Sequence, residues 1–407
     1  MNRSVPPWIS TGDEHSFAQR TILKRKPAII ERVLRENELA GPRRAALVRF
    51  GREIQSGVIC DPLEELVYRT EFFEPDELSV WHTEIGDYVG KPWIGIPWYL
   101  AESMFYLHLL LVFGYYNPES GLCMVDPFQP SKDRELAAPG GGMDLARRIT
   151  EVLDVEERST STISSLLLFS LWGNRVDLSN FYVKTAKERI VVRDRQNLLV
   201  DDLDRLVERL RTAKRIDFIL DNCGSELACD LITVFHLLAA DAGVEVHLHT
   251  KRSPFFVSDA MSKDVHKTIE TFREAPWSDL ARVGKALSAW HNAKRLRVRE
   301  HHYWSGPRHF PDLPAGLKQD LARADLVLLK GDANYRRLLS DRKWPATCRM
   351  REIAAYFPTT FAALRTMKSE IAVDLTPAQI ARLTRTQTDW MISGELGIVV
   401  LVEKQPV

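Results

Sequence analysis

Residues 218–226 read Phe218-Ile219-Leu220-Asp221-Asn222-Cys223-Gly224-Ser225-Glu226. An apolar run ends abruptly in a carboxylate and a carboxamide set side by side, and both are hard oxygen ligands of the kind a divalent cation takes. If the run is a buried strand, Asp221 and Asn222 stand at its carboxyl end. That is the edge of an open α/β sheet where ligands bind and where the next helix offers its first amides to an anion. A plain strand-to-helix turn uses the same residue types, with Asn222 or Gly224 at positive φ and Asp221 or Ser225 as the cap, so the segment alone supports either reading. Two later segments favour chemistry. Asp259 lies just beyond a strand pattern at 244–250, and Lys330-Gly331-Asp332 closes an apolar run at 326–330. Lys330 is suited to meet a phosphate oxygen, and Gly331 lets the backbone come close to a ligand.

These residues need elements that hold them. From Ile216 onward, apolar runs at 216–220, 244–250, 296–298, 326–330, 371–375 and 397–402 alternate with helical patterns such as 227–240. The alternation predicts an α/β fold with a mostly parallel, Rossmann-like sheet covered on both faces, an α/β/α three-layer sandwich. Upstream, from Arg20 to about Gly173, a 3.6-residue period (Ile29, Val33, Leu34, Leu39) predicts an N-terminal helical bundle region. The expected division is 1–173, mainly helical, and 174–407, the α/β/α catalytic domain. Pro139-Gly140-Gly141-Gly142 is not followed by Gly-Lys-Ser/Thr, so it is no nucleotide loop and reads as a flexible connector. Arg365 and Lys368 are spaced to share one face of a helix, ahead of the strand expected at 371–375.

Composition narrows the function. Lysine plus arginine equals aspartate plus glutamate at 55 each in 407 residues, so no global charge invites nucleic acid or a membrane surface. Five cysteines without Cys-x-x-Cys spacing argue against a disulfide framework or a zinc ribbon and suit a reducing cytoplasm. No apolar stretch follows the first residues as a secretory leader requires, and none approaches the roughly 20 residues of a membrane span. The adjacent His301-His302 point in different directions and lack companions at ligand spacing, which disfavours zinc. His247 and His249 alternate along a strand and face one side, near the sheet surface. Cys223 has no identifiable base nearby and reads as a small packed residue.

Taken together and in order, the segments resemble a known family. Asp-Asn-x-Gly-x-Glu at 221–226, Val-Ser-Asp at 257–259, Lys330-Gly331-Asp332-Ala333-Asn334-Tyr335-Arg336 with Asp341-Arg342-Lys343-Trp344, and Arg365-Thr366-Met367-Lys368 are similar to the motifs of the metal-dependent damage-control phosphatases. The likeness is to the sugar phosphate phosphatase subgroup carrying Arg-Thr-x-Lys, one member of which was first described as an acidic-residue methyltransferase. Trp98-Tyr99-Leu100-Ala101-Glu102, Asp126-Pro127-Phe128 and Trp172-Gly173-Asn174-Arg175-Val176-Asp177-Leu178-Ser179 extend it towards the N-terminus. Cys223, Ser225 and Ala333 depart from the usual pattern without removing a proposed ligand.

The resemblance implies a divalent metal (Mn2+, Co2+ or Mg2+) on Asp221, Asn222 and Asp259, and hydrolysis of small phosphometabolites, fructose 1-phosphate among them. Lys330 would set a positive charge against the phosphoryl group. Asp332 or Glu102 would act as general acid or base, Glu102 because a carboxylate on an apolar helix face needs a partner. Asn174, Ser258, Arg365 and Lys368 would contact the substrate. Asp221 could bind metal only or attack phosphorus itself; the missing second aspartate of an Asp-x-Asp nucleophile motif favours a metal-activated water. The expected partner is a small phosphorylated molecule, with the oligomeric state left open. The alternatives are an S-adenosylmethionine-dependent carboxyl methyltransferase, for which the Gly-x-Gly loop after the first strand is lacking, and a binding protein that keeps the pocket without turnover.

Overall fold

The computed structural model describes residues 5–66, 70–153, 159–173 and 195–404. Seven strands, β1 (Leu198–Asp201), β2 (Arg215–Ile219), β3 (Glu245–Thr250), β4 (Leu296–Glu300), β5 (Leu326–Lys330), β6 (Phe361–Thr366) and β7 (Gly397–Val402), form one sheet in the order β1-β7-β6-β5-β2-β3-β4. Strands β2 to β6 run parallel to one another; β7 is antiparallel to β6, and β1 is parallel to β7. This is the mostly parallel three-layer sandwich expected from the alternating runs.

The apolar run of β5 and the complete burial of β2 have one physical cause, since both sheet faces are covered. Ile216, Phe218 and Leu328 point into one core, and Ile219, Val327 and Leu329 into another on the opposite face. A third core fills the helical segment, centred on helix Trp98–Phe113, which is buried on almost every side. Helices Gly142–Val152 and Thr160–Trp172 share the first sheet-face core with helix Ser225–Ala240.

Four local expectations are corrected. Residues 371–375 form no strand; instead the strand is β6, which includes Arg365. Its Phe-Ala-Ala-Leu-Arg-Thr sequence carries little intrinsic β preference, and pairing between β5 and β7 overrides that weakness. Over 371–375 the backbone is satisfied outside the sheet: Arg365 donates to the Ile371 carbonyl at 2.6 Å, the Val373 amide donates to the Tyr335 hydroxyl at 3.2 Å, and the Asp374 and Leu375 amides donate to the carbonyls of Cys348 and Ala346. Arg365 and Lys368 therefore share no helix face. β1 also went unrecognised, being a four-residue edge strand.

The glycine-rich turn is not a loose connector either. Gly141 and Gly142 are buried, and a Cβ on Gly142 would stand 2.9 Å from the Gly224 carbonyl oxygen. The turn is thus packed against the loop that carries Asp221 and Asn222. His247 and His249 do face one side, but inside the fold, each only 2 % exposed.

Candidate active site

Two loops leave the carboxyl ends of β2 and β3 and zip together. Asn222 and Asp259 form an antiparallel bridge, the Ala260 amide donates to the Asp221 carbonyl at 2.8 Å, and the Cys223 amide donates to the Ser258 carbonyl at 2.7 Å. That pairing carries Asp221, Asn222 and Asp259 to the wall of one cavity of about 470 Å³. The second loop reaches this position through Phe256 at φ 45° and Val257 at φ 68°. A β-branched residue rarely adopts such a φ, so the turn that presents Asp259 is strained.

The oxygen cluster is electrostatically crowded. Asp221 is buried, and burial together with Glu226 and Asp259 pushes its carboxyl well above the usual range. Burial also raises Asp259, against the pull of Lys251. The Lys251 ammonium lies 3.1 Å from Asp259 Oδ2 and is the cation that answers it. Asn222 Nδ2 donates to Asp221 Oδ2 at 2.8 Å and to Glu226 Oε2 at 3.0 Å, while Ser258 Oγ donates to Asn222 Oδ1 at 2.5 Å. Excess buried negative charge and an all-oxygen donor set fit a hard divalent cation.

Lys330 stands elsewhere. It is 1 % exposed, does not line the cavity, and its ammonium lies 2.9 Å from Glu226 and 3.1 Å from Asp230, with Ser170 as a further hydrogen-bond partner. Burial alone would discharge it, but Asp230 and Glu226 outweigh burial and hold its affinity for the proton above the ordinary value. Through Glu226 it supports the Asn222 amide.

Glu102 lines the cavity with one cation on each oxygen: Lys26 Nζ lies 2.7 Å from Oε1 and Arg336 Nη1 2.6 Å from Oε2. Burial would raise its carboxyl, but Lys26 and Arg336 overcome that and lower it. Arg336 in turn is clamped by Asp341 at 2.8 Å and lies over the Trp98 ring. Asp332 accepts from Ser369 Oγ at 2.9 Å and pairs with Arg365 at the same distance. Arg365 lies above Tyr335, and Lys368 is exposed at the cavity wall. Lys132, held by Asp126 and Asp264, donates to the Asp259 carbonyl at 2.9 Å, which explains the Asp-Pro-Phe turn. Asn174 lies outside the described residues. Trp304 is a core side chain, 1 % exposed.

The cavity therefore gathers Asp221, Asn222, Asp259, Ser258, Glu102, Asp332, Arg365 and Lys368, and it leaves Lys330 behind its wall. Sequence reasoning missed Lys26, Lys132, Lys251 and Arg336 as members of the surroundings. Arg336 ends a quoted motif and was within reach; Lys26 and Lys251 carry no local signal.

One other group of potential ligands occurs among the described residues, Asp217, His247 and Asp320. Arg215 already bonds both of these carboxylates and His249 Nε2 lies 2.9 Å from Asp217, so their charge is answered without a metal.

A family model for the damage-control phosphatase ARMT1-like domain matches residues 21–383, spanning the helical wall, both zipped loops and the Arg365 strand. The chain belongs to this family. Membership makes it a phosphatase, a hydrolase. Damage-control phosphatase ARMT1 of Mus musculus is 27% identical over 97% of this chain and 98% of its own length. The human protein of that name is 27% identical over the same shares. A solved DUF89 family protein from Pyrococcus horikoshii superposes with TM-score 0.46 and 16% identity over 95% of this chain and 98% of that chain, a likeness too loose to bear on the site. No helix among the described residues is long and apolar enough to cross a membrane.

Proposed function

We propose that this protein is a divalent-metal-dependent phosphatase acting on phosphate monoesters of small phosphometabolites, sugar phosphates such as fructose 1-phosphate among them. The observation that carries this reading is the bridge between Asn222 and Asp259, which sets three oxygen donors on one wall of an anion-accessible cavity. Asp221, Asn222 and Asp259 are the residues that would hold Mn2+, Co2+ or Mg2+. When bound, such a cation supplies charge neutralisation of the phosphoryl oxygens and acidifies water.

The remaining steps belong to side chains. Asn222, oriented by Asp221, Glu226 and Ser258, keeps a fixed donor set. Lys368, exposed at the wall, meets the entering dianion. Asp332, gripped by Arg365 and Ser369, is the group suited to accept a proton from the attacking water. Glu102, held between two cations, positions rather than transfers protons. Lys330 contributes at one remove, through Glu226, rather than by touching phosphate.

The test is phosphate release from a panel of sugar phosphates by metal-stripped protein, with Mn2+, Co2+ or Mg2+ restored and Asp259→Asn as control. Metal-restored turnover missing from the variant is the expected result. Metal-independent turnover, or equal turnover in the variant, overturns the assignment.

A further inference from the structure

Lys26 is an unusual lysine. It enters the cavity wall from the helical segment at the start of helix Lys26–Glu36, directly after a π-helical turn, Thr21–Arg25, whose wider hydrogen bond runs from the Lys26 amide to the Thr21 carbonyl. Such turns re-aim a side chain and recur at functional sites. The result is an ammonium 2 % exposed, with ring centroids of Tyr106, Phe105 and Phe256 at 4.6, 5.1 and 5.5 Å.

Its only hydrogen bond among the described residues goes to Glu102 Oε1 at 2.7 Å. An ammonium has three donors. The rings offer cation–π attraction but no lone pairs, so two donors are unanswered by the protein beside a cavity that Lys26, Glu102, Tyr106 and Phe256 all line. A buried ion pair is often no more stabilising than apolar packing of the same volume, so stability alone does not account for it. Glu102 cannot drift, because Arg336 holds its other oxygen and Asp341 holds Arg336. What is presented to the cavity is a rigid donor and acceptor pair framed by aromatic faces.

We infer that Lys26 and Glu102 read the hydroxyl groups of a polyol carried by the phosphate ester, with Lys26 the specificity-determining residue. The aromatic faces of Tyr106 and Phe256 suit the C–H faces of a sugar, Lys26 donates to its oxygens and Glu102 accepts from its hydroxyls. This rests on the phosphatase reading for the position of the phosphoryl group. It adds that the helical segment, not the sheet, selects the rest of the substrate.

The test compares kcat/KM for fructose 1-phosphate with that for p-nitrophenyl phosphate, which has a phosphoryl group and no sugar hydroxyls, in wild type, Lys26→Met and Lys26→Arg. In Lys26→Met the ratio should fall about tenfold or more, mainly through KM of the sugar ester, because a site built for hydroxyls loses its donor. Lys26→Arg should recover part of it. An unchanged ratio, or equal losses on both substrates, overturns the inference.

Calorimetric binding of fructose 1-phosphate and of inorganic phosphate separates this from failure of the phosphatase reading. Without any wild-type turnover that reading falls, and Lys26→Met must still weaken the sugar ester more than phosphate for the inference to stand. Wild type alone gives a third readout. Burial lowers the Lys26 amine to about 8 against Glu102, with Arg25 and Arg336 adding to the lowering. The substrate ratio should therefore decline as pH rises through that value, and a flat ratio over about two pH units around it counts against the inference.

Discussion

Asp221 and Gly331 meet across the ends of β2 and β5 so closely that a Cβ at position 331 would lie 1.8 Å from Asp221 Oδ2. Gly331 holds φ at 81°, a region L-residues avoid, so its lack of a side chain answers both a backbone and a space requirement. The glycine after Lys330 thus makes room for the protein's own carboxylate.

Gly331→Ala should displace Asp221 and lower both metal affinity and turnover. The backbone strain adds about 1–3 kcal/mol of destabilisation. Metal titration followed by thermal shift reads both, and a variant with wild-type metal affinity would show that Asp221 is no ligand.

Asp259 is 1 % exposed beside Lys251, so Asp259→Ala does more than remove a proposed ligand. It leaves a buried ammonium uncompensated, at about 3–5 kcal/mol. Asp259→Asn keeps the shape and one acceptor. Both variants should lose metal-dependent turnover, the alanine with a clearly lower Tm; equal Tm values would mean that Lys251 finds another partner.

Lys330→Met should lower stability by about 3–5 kcal/mol, because Glu226 and Asp230 are left facing each other without their cation. Its effect on substrate KM should be smaller than that of Lys368→Met, since only Lys368 lines the cavity. Chemical denaturation and steady-state kinetics decide between them; a larger KM effect from Lys330 would place its ammonium against phosphate.

His108 is stacked on Phe50 at 5.4 Å in the helical core, and its Nε2 has no hydrogen bond among the described residues. Burial lowers it from 6.5 to about 4. The unfolded chain therefore binds a proton that the folded one refuses between those values, and stability falls as pH drops through that window. The slope is about 1.4 kcal/mol per pH unit for this histidine. His108→Phe should flatten the acid side of the stability profile, and an unaltered slope in urea denaturation would assign the loss to other groups.

The ends of β2 and β5 were legible because both strands are buried on both faces. Phe218-Ile219-Leu220 and the run from Leu326 to Leu329 mark them, and the residues that follow, Asp221 in the one and Lys330-Gly331 in the other, stand at the carboxyl edge. Arg365 was not legible in the same way: two alanines and an arginine carry no strand period, and only its place between β5 and β7 makes that segment a strand.

Charge pairing was the least legible level. Lys330 and Glu226 lie 104 positions apart, Lys26 and Glu102 lie 76 apart, and nothing in either neighbourhood names its partner. Periodicity and residue type determined the fold class and the ends of β2 and β5, because those depend on local sequence. Which buried cations answer which carboxylates, and which of them face the cavity, was decided only by the tertiary structure, since Coulomb energies follow distance in space and the dielectric around each group rather than position along the chain.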